Sequence, residues 1–385
     1  MTKRKSIAKN AKYKPMKFTI VNSQALTKEL TILKAVSCKR GSIPVLANLS
    51  IVSEDATTLK VSATDLDVTL TCRIQAEITE PGSILIPLAT LLDITKSCPN
   101  TATLSFQALE QGGAKLTCGT ASFKLVAPMF DSFPELPEPI NGDIEIPANT
   151  LASMIDSTIF AITDEPSRYT LSGAKFELDE ISLRMITTDG HRLAKAEDTT
   201  ITAPQKHELL IPQKALPELA KLCGSHNGPV TIAIDENHAY FYLGSSALTA
   251  RLLCGEFPNY ENVIPKDNTN SFVADIGLFR ETLRRVSLMA DDRSQSIRLD
   301  IKPNRLTVSA ENHDSGQGSE HLPIDFEGAH TAFAFNYEFI LDALGSISSS
   351  EKAKISFKDQ NSQVMIIPTL PSTLQVSNVV MPMRL

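Results

Sequence analysis

An internal repeat constrains this chain more than any other feature. Leu59-Lys60-Val61-Ser62-Ala63-Thr64-Asp65 reads like Leu183-Arg184-Met185-Ile186-Thr187-Thr188-Asp189, and Leu306-Thr307-Val308-Ser309-Ala310-Glu311-Asn312 reads like both. The leucines stand 124 and then 123 residues apart. Pro87 and Leu91 recur as Pro212 and Leu216, then as Asn336 and Ile340, and Phe133-Pro134 recurs as Phe257-Pro258. A near-constant step of this size predicts one structural unit used three times. Three units and a 15-residue N-terminal stretch fill the 385 residues.

Each unit has the same grammar. It opens on a short β-rich run: Phe18-Thr19-Ile20, Ile144-Glu145-Ile146 or Phe272-Val273-Ala274. A helix-like stretch with apolar residues at helical spacing follows, over residues 25–33, 151–160 and 278–289. Alternating strands come next, such as Leu59-Lys60-Val61 and Ala174-Lys175-Phe176-Glu177-Leu178. A second helix is predicted over residues 88–98, 213–223 and 337–344, opened in two units by Pro87 and Pro212, a residue suited to a first helical turn. More strands close the unit, so each half reads as β–α–β–β–β. The expected fold class is α+β, with three similar domains, each of two helices and antiparallel strands. The proline-rich residues 133–141 and the polar residues 266–270 mark the joints. The expected division is 1–15, 16–142, 143–268 and 269–385.

Composition narrows the class. Hydrophobic residues at 42% and charged residues at 21% supply enough apolar material to exclude disorder over most of the chain. No stretch approaches about 18 consecutive apolar residues, which excludes a transmembrane helix. The six cysteines are scattered without a CxxC pair, which suits a reducing cytoplasm and disfavours a zinc ribbon or a disulfide scaffold. Residues 1–15 carry six basic residues (Lys3, Arg4, Lys5, Lys9, Lys12, Lys14) and no acid, leaving the rest with 31 basic against 44 acidic residues. That stretch reads as a disordered extension or as a nucleic-acid-binding arm. The predicted helices sum to a net +3 in a body of −13, so the basic charge sits on helices. Lys-rich exposed helix faces and a phosphate-facing surface both account for it.

Catalytic signatures are missing: no P-loop, no GxGxxG after a strand, no HExxH and no GxSxG. The nearest candidate is Thr188-Asp189-Gly190-His191-Arg192, where Asp189 could orient His191 as a base in a hydrolase. No nucleophile lies nearby in sequence. The competing readings are a strand-ending turn that uses Gly190's backbone freedom, and a binding site that offers His191 and Arg192 beside the apolar Leu193. The remaining histidines have no metal-ligand spacing. Asp65/Asp67 and Asp291/Asp292 read as turn or solvated charges. No enzyme, metal or cofactor is expected.

Four stretches carry a family resemblance: Ile43-Pro44-Val45-Leu46-Ala47-Asn48; Thr188-Asp189-Gly190-His191-Arg192-Leu193-Ala194; Phe257-Pro258-Asn259-Tyr260 with Ile264-Pro265; and the terminal Val379-Val380-Met381-Pro382-Met383-Arg384-Leu385. Residues 16–385 resemble the bacterial replicative sliding clamps, the beta subunits of DNA polymerase III. The resemblance implies a head-to-tail homodimer forming a six-domain ring around duplex DNA, with no sequence readout. Twelve helices at about 8–10 Å spacing make a ring of axes roughly 30–40 Å across, and subtracting one helix diameter of about 10 Å leaves room for a duplex. It implies DNA-facing roles for Arg40 and Tyr169. It implies a pocket for short linear peptides of the polymerase III alpha subunit, the clamp loader, other polymerases and repair proteins. Its positions fall on Leu171, Thr188, Gly190, His191, Arg192, Leu193, Pro258, Val263, Val379, Met381, Pro382 and Met383. The dimer interface falls on Phe123, Leu125, Leu288 and Met289, which read equally as core residues. Asn262 stands where the family usually carries a basic residue, and Glu165 and Thr170 also depart from its usual choices. A peptide-binding scaffold that never encircles DNA is the alternative that shares the pocket without the ring.

Overall fold

The computed structural model describes residues 16–37 and 43–384. The first third runs β1 (Lys17–Ile20), α1 (Ser23–Leu33), β2 (Asn48–Ser53), β3 (Thr58–Thr64), β4 (Val68–Gln75), a short extra β5 (Glu77–Glu80), β6 (Ser83–Pro87), α2 (Leu88–Ser97), β7 (Leu104–Ala108), β8 (Ala114–Cys118) and β9 (Ala121–Leu125). The second runs β10 (Ile144–Pro147), α3 (Ala148–Thr158), β11 (Gly173–Leu178), β12 (Leu183–Thr188), β13 (Arg192–Asp198), β14 (His207–Pro212), α4 (Leu216–Gly224), β15 (Pro229–Ile234), β16 (His238–Leu243) and β17 (Ser246–Arg251). The third runs β18 (Asn270–Asp275), α5 (Ile276–Val286), β19 (Ser296–Lys302), β20 (Arg305–Asn312), β21 (Gly316–Pro323), β22 (Thr331–Asn336), α6 (Tyr337–Ser346), β23 (Lys352–Phe357), β24 (Val364–Pro368) and β25 (Leu374–Val380). Leaving β5 aside, each third is two β–α–β–β–β halves, as the repeat predicts.

Local chemistry sets the helix ends. Asn22, Asp275 and Asn336 cap α1, α5 and α6 through side-chain oxygens that accept from Ala25, Leu278 and Glu338 N–H groups. Pro87 and Pro212 differ from the expected first-turn position. Each ends a strand with extended ψ (113° and 145°) and stands just before the helical residues. The apolar stripes face inward: Leu26, Leu30 and Leu33 on α1, and Ile276, Phe279, Leu283 and Val286 on α5, are buried. In the last third they meet a phenylalanine-rich core in which Phe333 and Phe357 pack edge-on at 5.1 Å.

The halves exchange their first strands. β6 pairs with the β2–β3–β4 meander and β1 with β7–β8–β9, and the other two thirds follow the same rule. Four of the resulting half-sheets then join in pairs. β4 pairs antiparallel with β17, making one eight-stranded sheet, and β13 pairs antiparallel with β25, making another. The register repeats: Cys72 faces Ser246 and Ala196 faces Val376, and Cys72 and Ala196 each lie 13 residues after their repeat leucine. Two half-sheets have no such neighbour among the described residues. They end in β9 and in β21 as open edges.

The chain divides into two compact units, one taking residues up to Glu145 plus Ser225–Arg251, the other Ile146–Gly224 plus Leu252 onward. The first holds the β4–β17 seam and the second the β13–β25 seam. The middle third is shared between them because its two half-sheets are committed to different seams.

Candidate functional site: the β13–β25 seam

The turn between β12 and β13 is built from its own side chains. The Asp189 Oδ1 accepts from the N–H groups of His191 (2.8 Å) and Arg192 (3.0 Å). The Thr188 hydroxyl donates to the Arg192 carbonyl at 2.6 Å and accepts from Gly190 N–H at 3.1 Å. Gly190 sits at φ +88°, where any larger side chain is strained, and a Cβ there would meet the Arg168 guanidinium at 2.8 Å. Arg168 itself donates to the Asp189 carbonyl and pairs with Glu165 at 3.0 Å.

Arg192 is the hub. Its Nε donates to Asp189 Oδ2 (2.9 Å), one Nη to Asp342 Oδ2 on α6 (2.6 Å), and the other to the Phe160 carbonyl (2.6 Å). Its guanidinium lies between the Phe160 and Phe339 rings, 5.3 and 4.5 Å from their centroids. Asp189 is therefore spent on the turn and on Arg192, not on the His191 imidazole, which stacks on Phe339 at 6.5 Å. The Asp189–His191 base required by the hydrolase alternative is not assembled.

Beside this turn lies a cavity of about 120 Å³. Ten of the twelve sequence-identified pocket residues line it: Leu171, Thr188, Gly190, His191, Arg192, Leu193, Pro258, Val263, Val379 and Met381. The other two do not. After Met381, whose N–H donates to the His191 carbonyl at 2.9 Å, the chain turns so that Met383 N–H reaches the Ala334 carbonyl at 2.7 Å, and the Met383 side chain is left exposed. Asn259 and Tyr260 line the cavity and were missed as site residues, although the Phe257-Pro258-Asn259-Tyr260 motif contains them.

Tyr260 anchors the cavity wall. It is buried and its hydroxyl donates to Glu177 Oε2 at 2.7 Å. Glu177 also pairs with Lys175 (2.7 Å) and Arg184 (3.1 Å). Burial alone would raise the Glu177 pKa, but Lys175, Tyr260 and Arg184 together hold it below the usual range. The Tyr260 phenol is pushed up, by burial first and then by Glu177.

The remaining sequence-identified residues scatter. Arg40 lies outside the described residues. Tyr169 is 53% exposed in the 3₁₀ segment Pro166–Leu171. On β9, Phe123 is half-buried, whereas Leu125 is buried in its own half-sheet; the neighbouring Val126 is exposed instead. Leu288 is 77% exposed in the 3₁₀ turn after α5, and Met289 packs against β21 at Gly318. Asp65 and Asp291 cap turns through backbone N–H groups, as expected of turn charges.

Repeated half-sheets that merge across repeat boundaries, with an apolar cavity at a seam and a turn occupied by structural bonds, define a DNA clamp. The models of the DNA polymerase III beta subunit match in order: the N-terminal domain over residues 16–137, the central domain over 145–259 and the C-terminal domain over 261–384. The beta sliding clamp of Pseudomonas putida is 32% identical over 373 residues, spanning 96% of this chain and all of that protein, and the Caulobacter vibrioides protein is 32% identical over 380 residues at the same coverage. A crystal structure of the Pseudomonas aeruginosa DNA polymerase III beta subunit bound to griselimycin superposes with a TM-score of 0.89 at 32% identity, over 96% of this chain and 100% of that one. The chain belongs to the bacterial beta sliding clamps, the beta subunits of DNA polymerase III. It is a DNA sliding clamp, a processivity factor without catalysis of its own.

Proposed function

We propose that two copies of this chain close head-to-tail into a ring around duplex DNA, and that the β13–β25 cavity docks short peptides of the polymerase III alpha subunit, the clamp loader and other DNA-processing proteins. The carrying observation is the repeated seam. β4 takes β17 and β13 takes β25, and the same rule leaves β21 waiting for β9 of a second copy. Ser319 lies 13 residues after Leu306, as Cys72 does after Leu59. The hairpin glycines Gly119 (φ 58°) and Gly244 (φ 62°) make Ala121 the counterpart of Ser246. Ala121 of one copy then faces Ser319 of the other. Phe123, Val126, Leu288 and Met289 flank this edge, and Leu125 supports it from inside.

In this reading the three domains divide at 142 and 268, and the protein works in the cytoplasm. Arg40 and Tyr169 face the DNA, with Arg280 and Arg284 on α5 adding phosphate contacts that hold a duplex without reading bases. Small-angle scattering with an absolute mass tests it. A particle of twice 41.9 kDa with a hollow centre is expected. A compact 41.9 kDa particle at high concentration sinks the ring and leaves the scaffold reading.

A further inference from the structure

A second and larger cavity, of about 620 Å³, lies at the other end of the same seam. Its walls are one face of α3 within residues 149–157, the end of α6 with the segment after it at residues 345–350, and the β24–β25 connection within residues 368–376, with Asp198 at the end of β13. Arg192 and Asp198 open and close β13, so that strand carries the two cavities about 20 Å apart. The polarity here is one-sided. Among the described residues the lining holds two carboxylates, Asp156 and Asp198, and nine Ser and Thr hydroxyls, but no Lys, Arg or His. Arg280 approaches Gly345 from α5, its guanidinium 3.7 Å from where a Cβ would stand, without entering the lining. The unmet polar atoms are acceptors. Asp156 is exposed on α3 and pairs with no described residue. Asp198 is 4% exposed; its Oδ1 accepts from the Thr200 N–H (2.8 Å) and hydroxyl (2.6 Å), which leaves Oδ2 unengaged by the described residues. Asn378 follows Leu374 and Val376 on one face of β25. It is 1% exposed, and its Nδ2 donates to the lining Ser346 hydroxyl (2.9 Å) and the Ala343 carbonyl (3.3 Å), while its Oδ1 is buried without a partner.

We infer that this cavity binds a small linear polyamine, a ligand that alternates protonated amines with methylene segments. A protonated amine is a donor without acceptor capacity, and it answers carboxylate, hydroxyl and amide oxygens together. A largely buried carboxylate with one oxygen unengaged gains most from such a partner. The methylenes have Ile347, Leu370, Leu374 and Val376 to lie against, and Leu370 is otherwise exposed. The volume falls among small-molecule sites, which run to about 300–1,000 Å³. A bare divalent ion fits less well, because among the described residues no three His, Cys, Asp or Glu side chains converge as metal ligands. A lysine-rich peptide would bring the same charge on a bulkier backbone into a space walled by three segments.

The probe is spermidine, titrated by calorimetry into the full chain without DNA at fixed ionic strength. One molecule per chain is expected to bind. Asp156→Lys should weaken it by at least about tenfold, and so should Ser372→Trp, which adds bulk without changing charge. Both positions are exposed, so both variants should fold, and a melting curve checks each. If one variant melts early, the other carries the test. Glu110→Lys makes the same charge change at an exposed residue of the first third and should weaken binding by less than about twofold. Equal losses in Asp156→Lys and Glu110→Lys would assign the heat to the general acidity of the chain and overturn the inference. Spermidine that shows no saturable binding up to about 10 mM overturns it as well. Magnesium chloride that binds wild type but not Asp156→Lys would give the cavity to a metal ion instead. Pentalysine that binds more tightly than spermidine, and is lost in Ser372→Trp, would give it to a peptide.

Discussion

Carrying the seam register across to a second copy makes a residue-level prediction. Ala121 and Ser319, both exposed in the single chain, are placed opposite each other by the repeat. Directly opposed residues in an antiparallel pair have Cα atoms about 4.5–5.5 Å apart, inside the about 4.4–6.8 Å window of a disulfide. The double variant Ala121→Cys/Ser319→Cys, with the exposed Cys254 and also Cys118, the in-chain cross-strand neighbour of Ala121, replaced by Ser, is expected to form a covalent dimer under mild oxidation. Denaturing electrophoresis should show twice 41.9 kDa and little monomer. Each closed ring has two such seams, so a mixture of the two single variants should also give a dimer, linked once. Moving one cysteine to Ser122 shifts it about 3.4 Å along the strand and onto the other face, and that pair should not link. The doubly linked ring, closed on nicked circular DNA, should resist high salt and slide off after linearisation. A protein that stays monomeric under oxidation refutes the seam rule. Efficient linking through Ser122 refutes the register.

Leu288→Asp should leave the folded chain intact, because Leu288 is 77% exposed, yet weaken the dimer. Losing its burial at about 3 kcal/mol per seam, over two seams, is roughly a 10⁴-fold change in dissociation constant, read by sedimentation velocity; an unshifted dimer would place the interface elsewhere. Arg192→Leu strands Asp189, Asp342 and the Phe160 carbonyl and should cost about 2–3 kcal/mol in thermal melts, an expectation that an unchanged midpoint contradicts. Leu66 holds φ 81° in the first-third turn where the second third has Gly190, so Leu66→Gly should stabilise the protein by up to about 1 kcal/mol, and a lower melting point would show that its side chain is needed there. Glu177 has a depressed folded pKa, so its contribution is present above the unfolded value of about 4.3 and is lost as pH falls through the folded one. Glu177→Gln should flatten that acid limb of the stability curve, and an equally steep limb would mean that other carboxylates carry it.

The repeat, the six helices and the half-unit grammar were legible because leucines and helix starts return at a fixed step and core-facing residues cannot drift without emptying the core. The cavity was legible wherever a contiguous motif supplies its wall, as Thr188–Leu193 does. Arg192's true partners were not, since Phe160 and Asp342 lie 32 and 150 residues away and only tertiary folding brings them together. Met383 sits in the same terminal motif as Met381 but does not line this cavity, and its N–H bonds to the Ala334 carbonyl.

The shared sheets also bear on where this molecule comes apart. A strand inside an eight-stranded sheet has its N–H and C=O groups engaged on both flanks, whereas β9 and β21 each carry a row of backbone groups with no strand partner on one flank among the described residues. Amide exchange in dilute protein should therefore be faster at those two strands than at β4 and β13, which are paired on both flanks. Raising the protein concentration should protect the fast pair first. Folding at the chain's two ends and closure of the ring are then one linked equilibrium, and the apparent stability of the clamp becomes a function of how much of it is present.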